Sequence, residues 1–410
     1  MFHVELVTDL AAANELRADW DALLRATPQA TFFRSFDWLE TYWRFYGAEQ
    51  SLRILVVRHG PKTVGIVPLT ILRETTKLGR MRILTYPLAY WGSYYGPIGP
   101  RPRETLAAAL EYLGSTRRDW DMLDLRFTPA PDCDPAGTQE LMARANFGAT
   151  PKRTDFTSFI DLPESLDAYL STRPAKWRTN FRRWSRRITD LGMLRYERYR
   201  PVGGNDDGAP RWELYDDCER VAQRSWQGSS TNGTTLTHEP VRAFFRAMHA
   251  TACRAGAADI NLLYLNDRPC AFLYCYRYGD ALFGCRTGFD AEAAKAGVGN
   301  LMYLKVVEDS IRRGDRTIDL GPGSLPAKKP LLSRIAPIYR LPYANGASWR
   351  GMAWRMKQAI DDLQNLVSAY DDESIALDEA LRGESPRALH QLQKQGDACD
   401  REQDRQEQLR

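Results

Sequence analysis

Hydrophobic and polar positions follow two periods along the first 345 residues. Leu16, Trp20, Leu23 and Leu24 recur at helical spacing and predict a helix over 10–25. A second helix is predicted over 35–46, with Ser35 as N-cap and Gly47 as its stop. LRILVVRHGPKTVGIVPLTILR predicts two strands joined at His59-Gly60-Pro61, and a third strand surrounds Arg82 to Leu84. A helix over 104–117 and a strand over 122–127 close this unit. The same order returns later in the chain. INLLYLNDRPCAFLYCYRYG predicts a hairpin turning at Asn266-Asp267-Arg268, ALFGCRTGF a third strand, 300–313 a helix and 317–320 a closing strand. Both units end in similar words, MLDL at 122–125 and TIDL at 317–320. The repeated order predicts an internal duplication of one mixed α/β module.

Between the units the pattern predicts a strand over 157–162 and helices over 164–172, 175–191, 209–226 and 239–256. The polar, Gly-containing QGSSTNGTTLTH is expected to be a mobile loop. Met352, Met356, Ile360, Leu363, Val367 and Tyr370 mark one face of a further helix, and the polar sequence from Gly383 onward predicts a solvated or disordered tail. The expected division is a first module over 1–160, a second over 161–345, and a helix with a polar tail over 346–410.

Composition narrows the classes. A chain of 410 residues with 43% hydrophobic and 26% charged residues is globular, which excludes disordered and collagen-like classes. No apolar run reaches the ~20 residues that span a bilayer, and the first ten residues lack a basic stretch followed by an apolar one, so a cytoplasmic location is expected. The net charge of +4 does not point to nucleic acid by itself. Seven Cys without a C-x-x-C pair, and five scattered His, point to buried thiols in a reducing compartment and to no metal site.

Three segments and two further residues are candidates for chemistry. Gly297-Val298-Gly299, between a strand and a helix starting near Asn300, suits anion binding, because first-turn N–H groups lack helical partners and Gly admits a close phosphate; an ordinary tight turn also explains it. Residues 173–189 hold seven Arg or Lys and no acid, with Trp177, Phe181, Trp184 and Ile188 on one apolar stripe. Arg178 and Arg182, in a row with Arg186, are candidate contacts to a polyanionic substrate; the alternative is pairing with acids such as Asp155, Glu164 or Asp167. In the aromatic loop over 86–95, Tyr90, Trp91 and Tyr94 are candidate substrate contacts, or caps on the sheet between the modules. Asp319 is a candidate base, or the cap of the turn before Gly321-Pro322; Lys328 is a candidate oxyanion or phosphate contact, or a solvated loop residue. No Ser-His-Asp or Cys nucleophile is visible, so direct transfer is favoured.

The order strand–turn–strand–strand–loop–helix–strand resembles the core of the GNAT acyltransferases. More narrowly, FFRSFDWLETYWRFYG, KWRTNFRRWSRRI and FGCRTGFDAEAAKAGVGNLMYLKVVEDSIRRGDRTIDLGPG resemble the double-GNAT acetyltransferases of the cellulose-biosynthesis CelD/BcsL type, which are similar to FemAB/FemX peptidyltransferases. The resemblance implies tandem GNAT-like modules and acyl transfer from acetyl-CoA or another acyl-CoA to an amine or hydroxyl on a sugar or cell-envelope precursor. It places the donor near Arg286, Gly297, Val298, Gly299 and Asn300. The residue three before Gly297 is Ala294 where the signature has Arg or Gln, and Ala327 precedes Lys328 where relatives have an aromatic. Two alternatives therefore stand: a FemX-like transferase using aminoacyl-tRNA, and a non-catalytic subunit of a polysaccharide-synthesis complex, associated peripherally with the envelope machinery.

Overall fold

The structure is a computed structural model that describes residues 2–87, 94–129, 134–203, 208–230, 235–323 and 325–360. Met1–Asn345 form one compact unit and Gly346–Arg410 a second. In the second unit residues 349–360 are helical, with Met352, Met356 and Ile360 exposed; the remainder of the predicted helix and the polar tail lie outside the described residues.

The strands of the first unit are β1 (Phe2–Val7), β2 (Ser51–His59), β3 (Lys62–Thr76), β4 (Gly79–Thr85), β5 (Met122–Pro129), β6 (Lys152–Asp161), β7 (Leu194–Tyr199), β8 (Ala258–Leu265), β9 (Arg268–Tyr278), β10 (Ala281–Phe289), β11 (Thr317–Asp319) and β12 (Arg334–Ala344). The helices are α1 (Leu10–Glu15), α2 (Arg17–Arg25), α3 (Phe36–Tyr46), α4 (Pro102–Ser115), α5 (Pro135–Arg144), α6 (Leu166–Ser171), α7 (Ala175–Leu191), α8 (Trp212–Gln223), α9 (Glu239–Arg254), α10 (Ala291–Ala294), α11 (Val298–Arg312) and α12 (Leu325–Lys328). Local signals act as expected: Ser35 Oγ accepts from Trp38 N at the start of α3, and Asn266 and Asp267 both take left-handed φ in the β8–β9 turn. The segment predicted as one helix over 10–25 divides at Leu16 into α1 and α2.

All twelve strands form one sheet in the order β1-β2-β3-β4-β5-β12-β6-β11-β10-β9-β8-β7. The two halves repeat each other: four antiparallel strands, a fifth joined in parallel, then an antiparallel sixth. The sixth strands are exchanged. β6 follows the first five strands in sequence yet lies against β11, and β12 follows β11 yet lies against β5. β6 and β12 pair antiparallel at the centre and join the halves. β12 escapes sequence recognition because Pro337 and Pro342 interrupt it, and proline in a strand ordinarily argues against a central position. The edge strand β7 is half-buried along most of its length and so lacks a clear alternation.

One expectation needs correction. The supposed mobile loop over 227–238 is anchored where described: Gln227 is buried, donates from Nε2 to Thr287 O at 2.9 Å and accepts from Leu236 N. Asp309 on α11 is buried and ion-paired to Arg198 and Arg313; burial raises its carboxyl, and Arg313, Arg312 and Arg198 together hold it down near 2. Cys218, Cys253, Cys270 and Cys275 are buried.

Candidate active site

β10 and β11 pair in parallel at only three positions, Ala281↔Thr317, Leu282↔Ile318 and Phe283↔Asp319, and then separate. β10 continues along β9 past a bulge between Gly284 and Arg286, while β11 ends at Asp319. Parallel strands that part in this way leave backbone groups without ladder partners, and side chains at the parting point become a natural site.

Asp319 stands there, 2% exposed. Its Oδ1 accepts from Thr157 Oγ1 at 2.5 Å and from Gly321 N at 2.7 Å. Thr157 and Asp155 lie two residues apart on the exchanged strand β6 and so share one face. Lys328, on the short helix α12, donates from Nζ to Gly321 O and Pro322 O, both at 2.7 Å. Burial raises the Asp319 carboxyl above the ordinary carboxylate range, although Thr157, Tyr94, Gly321 and Lys328 all favour its ionised form. Burial lowers the Lys328 ammonium to about 8, with Asp319 and Asp155 opposing the change. The turn-capping role of Asp319 and its place in a buried polar cluster therefore coexist, and Lys328 is half-buried rather than a solvated loop residue.

The first half of the chain supplies the fourth member. Tyr94 is buried, its ring centroid 6.0 Å from that of Phe283, and its hydroxyl is turned toward Asp319 and Thr157 without a well-formed hydrogen bond. Burial, followed by the charge of Asp319, pushes its phenol well above the ordinary value. Tyr94 takes φ of +65°, a conformation that costs a bulky residue on the order of 1–3 kcal/mol. Buried Arg34 holds it there, donating from Nε to Tyr94 O at 2.8 Å, while Trp20 Nε1 donates to Arg34 O. Tyr90 and Trp91 lie outside the described residues. Tyr86 and Tyr95 stack in the core, as a cap on the sheet would.

The second candidate region joins two segments that the sequence kept apart. Gly297 takes φ of +86° as the N-cap of α11, and Val298 begins the helix. The indole of Trp184 on α7 lies directly over Gly297: a Cβ added there would fall 2.4 Å from it. A Cβ on Gly299 would fall 2.9 Å from Phe289, and Asn300 Oδ1 accepts from Trp177 Nε1 at 3.3 Å. Side-chain packing thus accounts for both glycines. Gly297 and Val298 are buried, Gly299 and Asn300 half-buried, so a diphosphate at this helix start would have to share space with Trp184. Arg286 sits on β10 just past the bulge, opposite Tyr274.

On α7, Trp177 and Ile188 are buried and Phe181 and Trp184 half-buried, as the stripe predicts. Arg178 and Arg182 lie on the adjacent solvent face, turned from the stripe that meets α11. Pairing of this row with Asp155, Glu164 or Asp167 is not found; among the described residues Arg178, Arg182, Arg183, Arg186 and Arg187 form no ion pair. Sequence reasoning missed Thr157, Arg34 and the meeting of Tyr94 with Asp319. A buried Thr on a strand carries no sequence signal, and only the strand exchange brings residue 157 beside residue 319. Among the described residues no group of three or more His, Cys, Asp or Glu is placed to hold a metal, and no helix is long and apolar enough to cross a membrane.

Residues 175–329 match the family model described as an acetyltransferase (GNAT) domain. No curated protein matches the chain in sequence. Among solved structures, FemX is similar over 84% of this chain and 98% of its own, with TM-score 0.54 and 11% identity. A conserved protein of unknown function from Bacteroides thetaiotaomicron VPI-5482 is similar over 84% of this chain and 100% of its own, with TM-score 0.51 and 11% identity. Residues 175–329 are thus similar to a GNAT acetyltransferase domain, and the chain shares its fold with FemX, its two halves joined through exchanged strands in one sheet.

Proposed function

We propose that the protein is an acyltransferase that moves an acyl group from an acyl-CoA thioester to an amine or hydroxyl on a sugar or cell-envelope precursor. The observation that carries this reading is the Asp319 carboxyl, buried where β10 and β11 part, with Lys328 forming the accessible edge of its cluster. Asp319, raised by burial, takes the proton of the attacking nitrogen or oxygen as the new bond to the acyl carbon forms. An ammonium has three protons; two of those on Lys328 are given to Gly321 O and Pro322 O, and the third is free for the developing oxyanion. Collapse of that intermediate breaks the carbon–sulfur bond, and the thiolate leaves with the proton that Asp319 took up, which restores the carboxylate.

The test is release of free thiol from acetyl-CoA and longer acyl-CoA thioesters with amino-sugar acceptors, together with the melting point in millimolar coenzyme A. Turnover that disappears in Asp319→Asn, and a melting point that rises with coenzyme A, support the reading. No shift and no thiol release overturn the thioester donor.

One observation favours a second donor. Trp184 covers Gly297, which suits a donor that does not seat a diphosphate at the start of α11, such as the ester of an aminoacyl-tRNA. Trp184→Ala separates the two: a coenzyme A shift that appears only in this variant means the indole closes a dormant thioester site.

A further inference from the structure

α7 has an outer face that the proposed reaction leaves unused. Lys176, Arg178, Arg182, Arg183, Arg186 and Arg187 are all exposed along a helix about 25 Å long, and among the described residues none is ion-paired. Single exposed arginines without an ion pair occur elsewhere among the described residues, Arg44 and Arg73 for example, and others are matched to acids, as Arg103 is to Glu140 and Arg334 to Asp161; α7 differs in gathering six such cations on one helix. An uncompensated row of this length repels itself and is relieved by an anionic surface. The apolar side of the helix is already spent against α11 through Trp177 and Trp184, so the face is rigidly presented.

Two classes of polyanion compete for such a face, nucleic acid and anionic lipid. RNA-binding surfaces set aromatic rings among their cations for bases to stack on. Here the three aromatics of α7 belong to the inward stripe. What the helix exposes instead, at its C-terminal end, is aliphatic: Leu191 is 54% and Met193 65% exposed. Cations along the helix, with exposed aliphatic side chains at its end (Leu191 seven residues beyond Trp184 and so on the stripe side), match a helix that meets a membrane interface by its charges, with tips that end toward the acyl boundary.

We propose that the outer face of α7, with Leu191 and Met193, docks the protein on an anionic lipid bilayer. The inference is independent of which donor the active site takes.

The test is co-sedimentation of the full chain with vesicles of phosphatidylcholine alone and of phosphatidylcholine containing one third phosphatidylglycerol. Binding is expected only to the anionic vesicles, falling steeply as salt rises. Each cation near such a surface contributes about a factor of five, so Arg178→Gln, Arg182→Gln and Arg186→Gln together weaken binding on the order of 100-fold. These side chains are exposed and unpaired, and the melting point of the triple variant is expected to match that of the parent. A separate Leu191→Ser, Met193→Ser variant weakens the binding that survives in high salt. Equal sedimentation with both vesicle types, or a well-folded triple variant that binds like the parent, overturns the proposal. So does capture of total tRNA with the same arginine dependence while anionic vesicles stay unbound.

Discussion

Asp124 and Asp319 occupy equivalent places in the two halves of the sheet. Met122 and Leu123 pair in parallel with β4 as Thr317 and Ile318 do with β10, and each aspartate follows. Each faces an exchanged strand, Asp124 opposite Pro342 on β12 and Asp319 opposite Phe159 on β6. Two residues before the opposing position, β12 carries Arg340 and β6 carries Thr157, and both reach the aspartate. Asp124, fully buried, is ion-paired to Arg340 and to Arg126, which also binds Glu74. Asp319 meets hydroxyls, one backbone N–H and a more distant lysine. One carboxylate is neutralised and committed to holding strands together. The other keeps too little positive charge to offset its burial, and its carboxyl is raised. At the duplicated position the two arginines that hold Asp124, Arg340 on the exchanged strand and Arg126 two residues on, are replaced around Asp319 by Thr157 and Gly321.

The sharpest way to break this comparison is turnover. Asp319→Asn is expected to lower kcat on the order of 10²–10⁴-fold, the ordinary contribution of a positioned base, whereas Asp124→Asn leaves kcat within a few-fold. Equal losses in both variants would end the distinction. Stability should show the reverse order. Asp124→Asn leaves Arg340 without its acid and Arg126 with Glu74 alone, and costs about 1.5–3 kcal/mol in urea unfolding, more than the Asp319 variant.

The pH dependence sharpens the comparison further. If Asp319 acts ionised and Lys328 protonated, kcat/KM falls at low pH through a limb above the usual carboxylate range and at high pH through one near 8. Lys328→Arg moves the alkaline limb upward, because guanidinium stays charged. Lys328 is also depressed relative to the unfolded chain, which therefore binds more protons between about pH 8 and 10.5; the parent gains stability across that window relative to Lys328→Met. The smallest effect belongs to Tyr94→Phe. Its hydroxyl lacks a formed hydrogen bond, so stability stays within about 0.5 kcal/mol. Losing a group that favours ionised Asp319 raises that carboxyl, and the acid limb moves to higher pH.

Much of the fold was legible in the sequence. The hairpins, the α3 cap at Ser35, the bounds of α7 and the repeated strand order all follow from local periodicity and turn chemistry. Asp319 and Gly297 were visible as endings of predicted elements. The elements that sequence reasoning passed over, β1, β7, β12 and α5, are edge strands, a proline-interrupted strand, and a helix in a Pro/Asp-rich stretch. In each, local preference is weak and packing decides.

By itself the chain determined its segments, their order and the acid-free run of arginines on one helix, because these depend on residues within a few positions of one another. Only the tertiary structure decided what stands beside what. It exchanged the sixth strands, gave Arg340 to Asp124 and Thr157 to Asp319, brought Tyr94 across from the first module, and laid Trp184 over Gly297. Proton affinity depends on burial and on charges a few ångströms away, and those neighbours come from distant parts of the chain. The same aspartate in the same local word is therefore a strut in one half and a candidate base in the other.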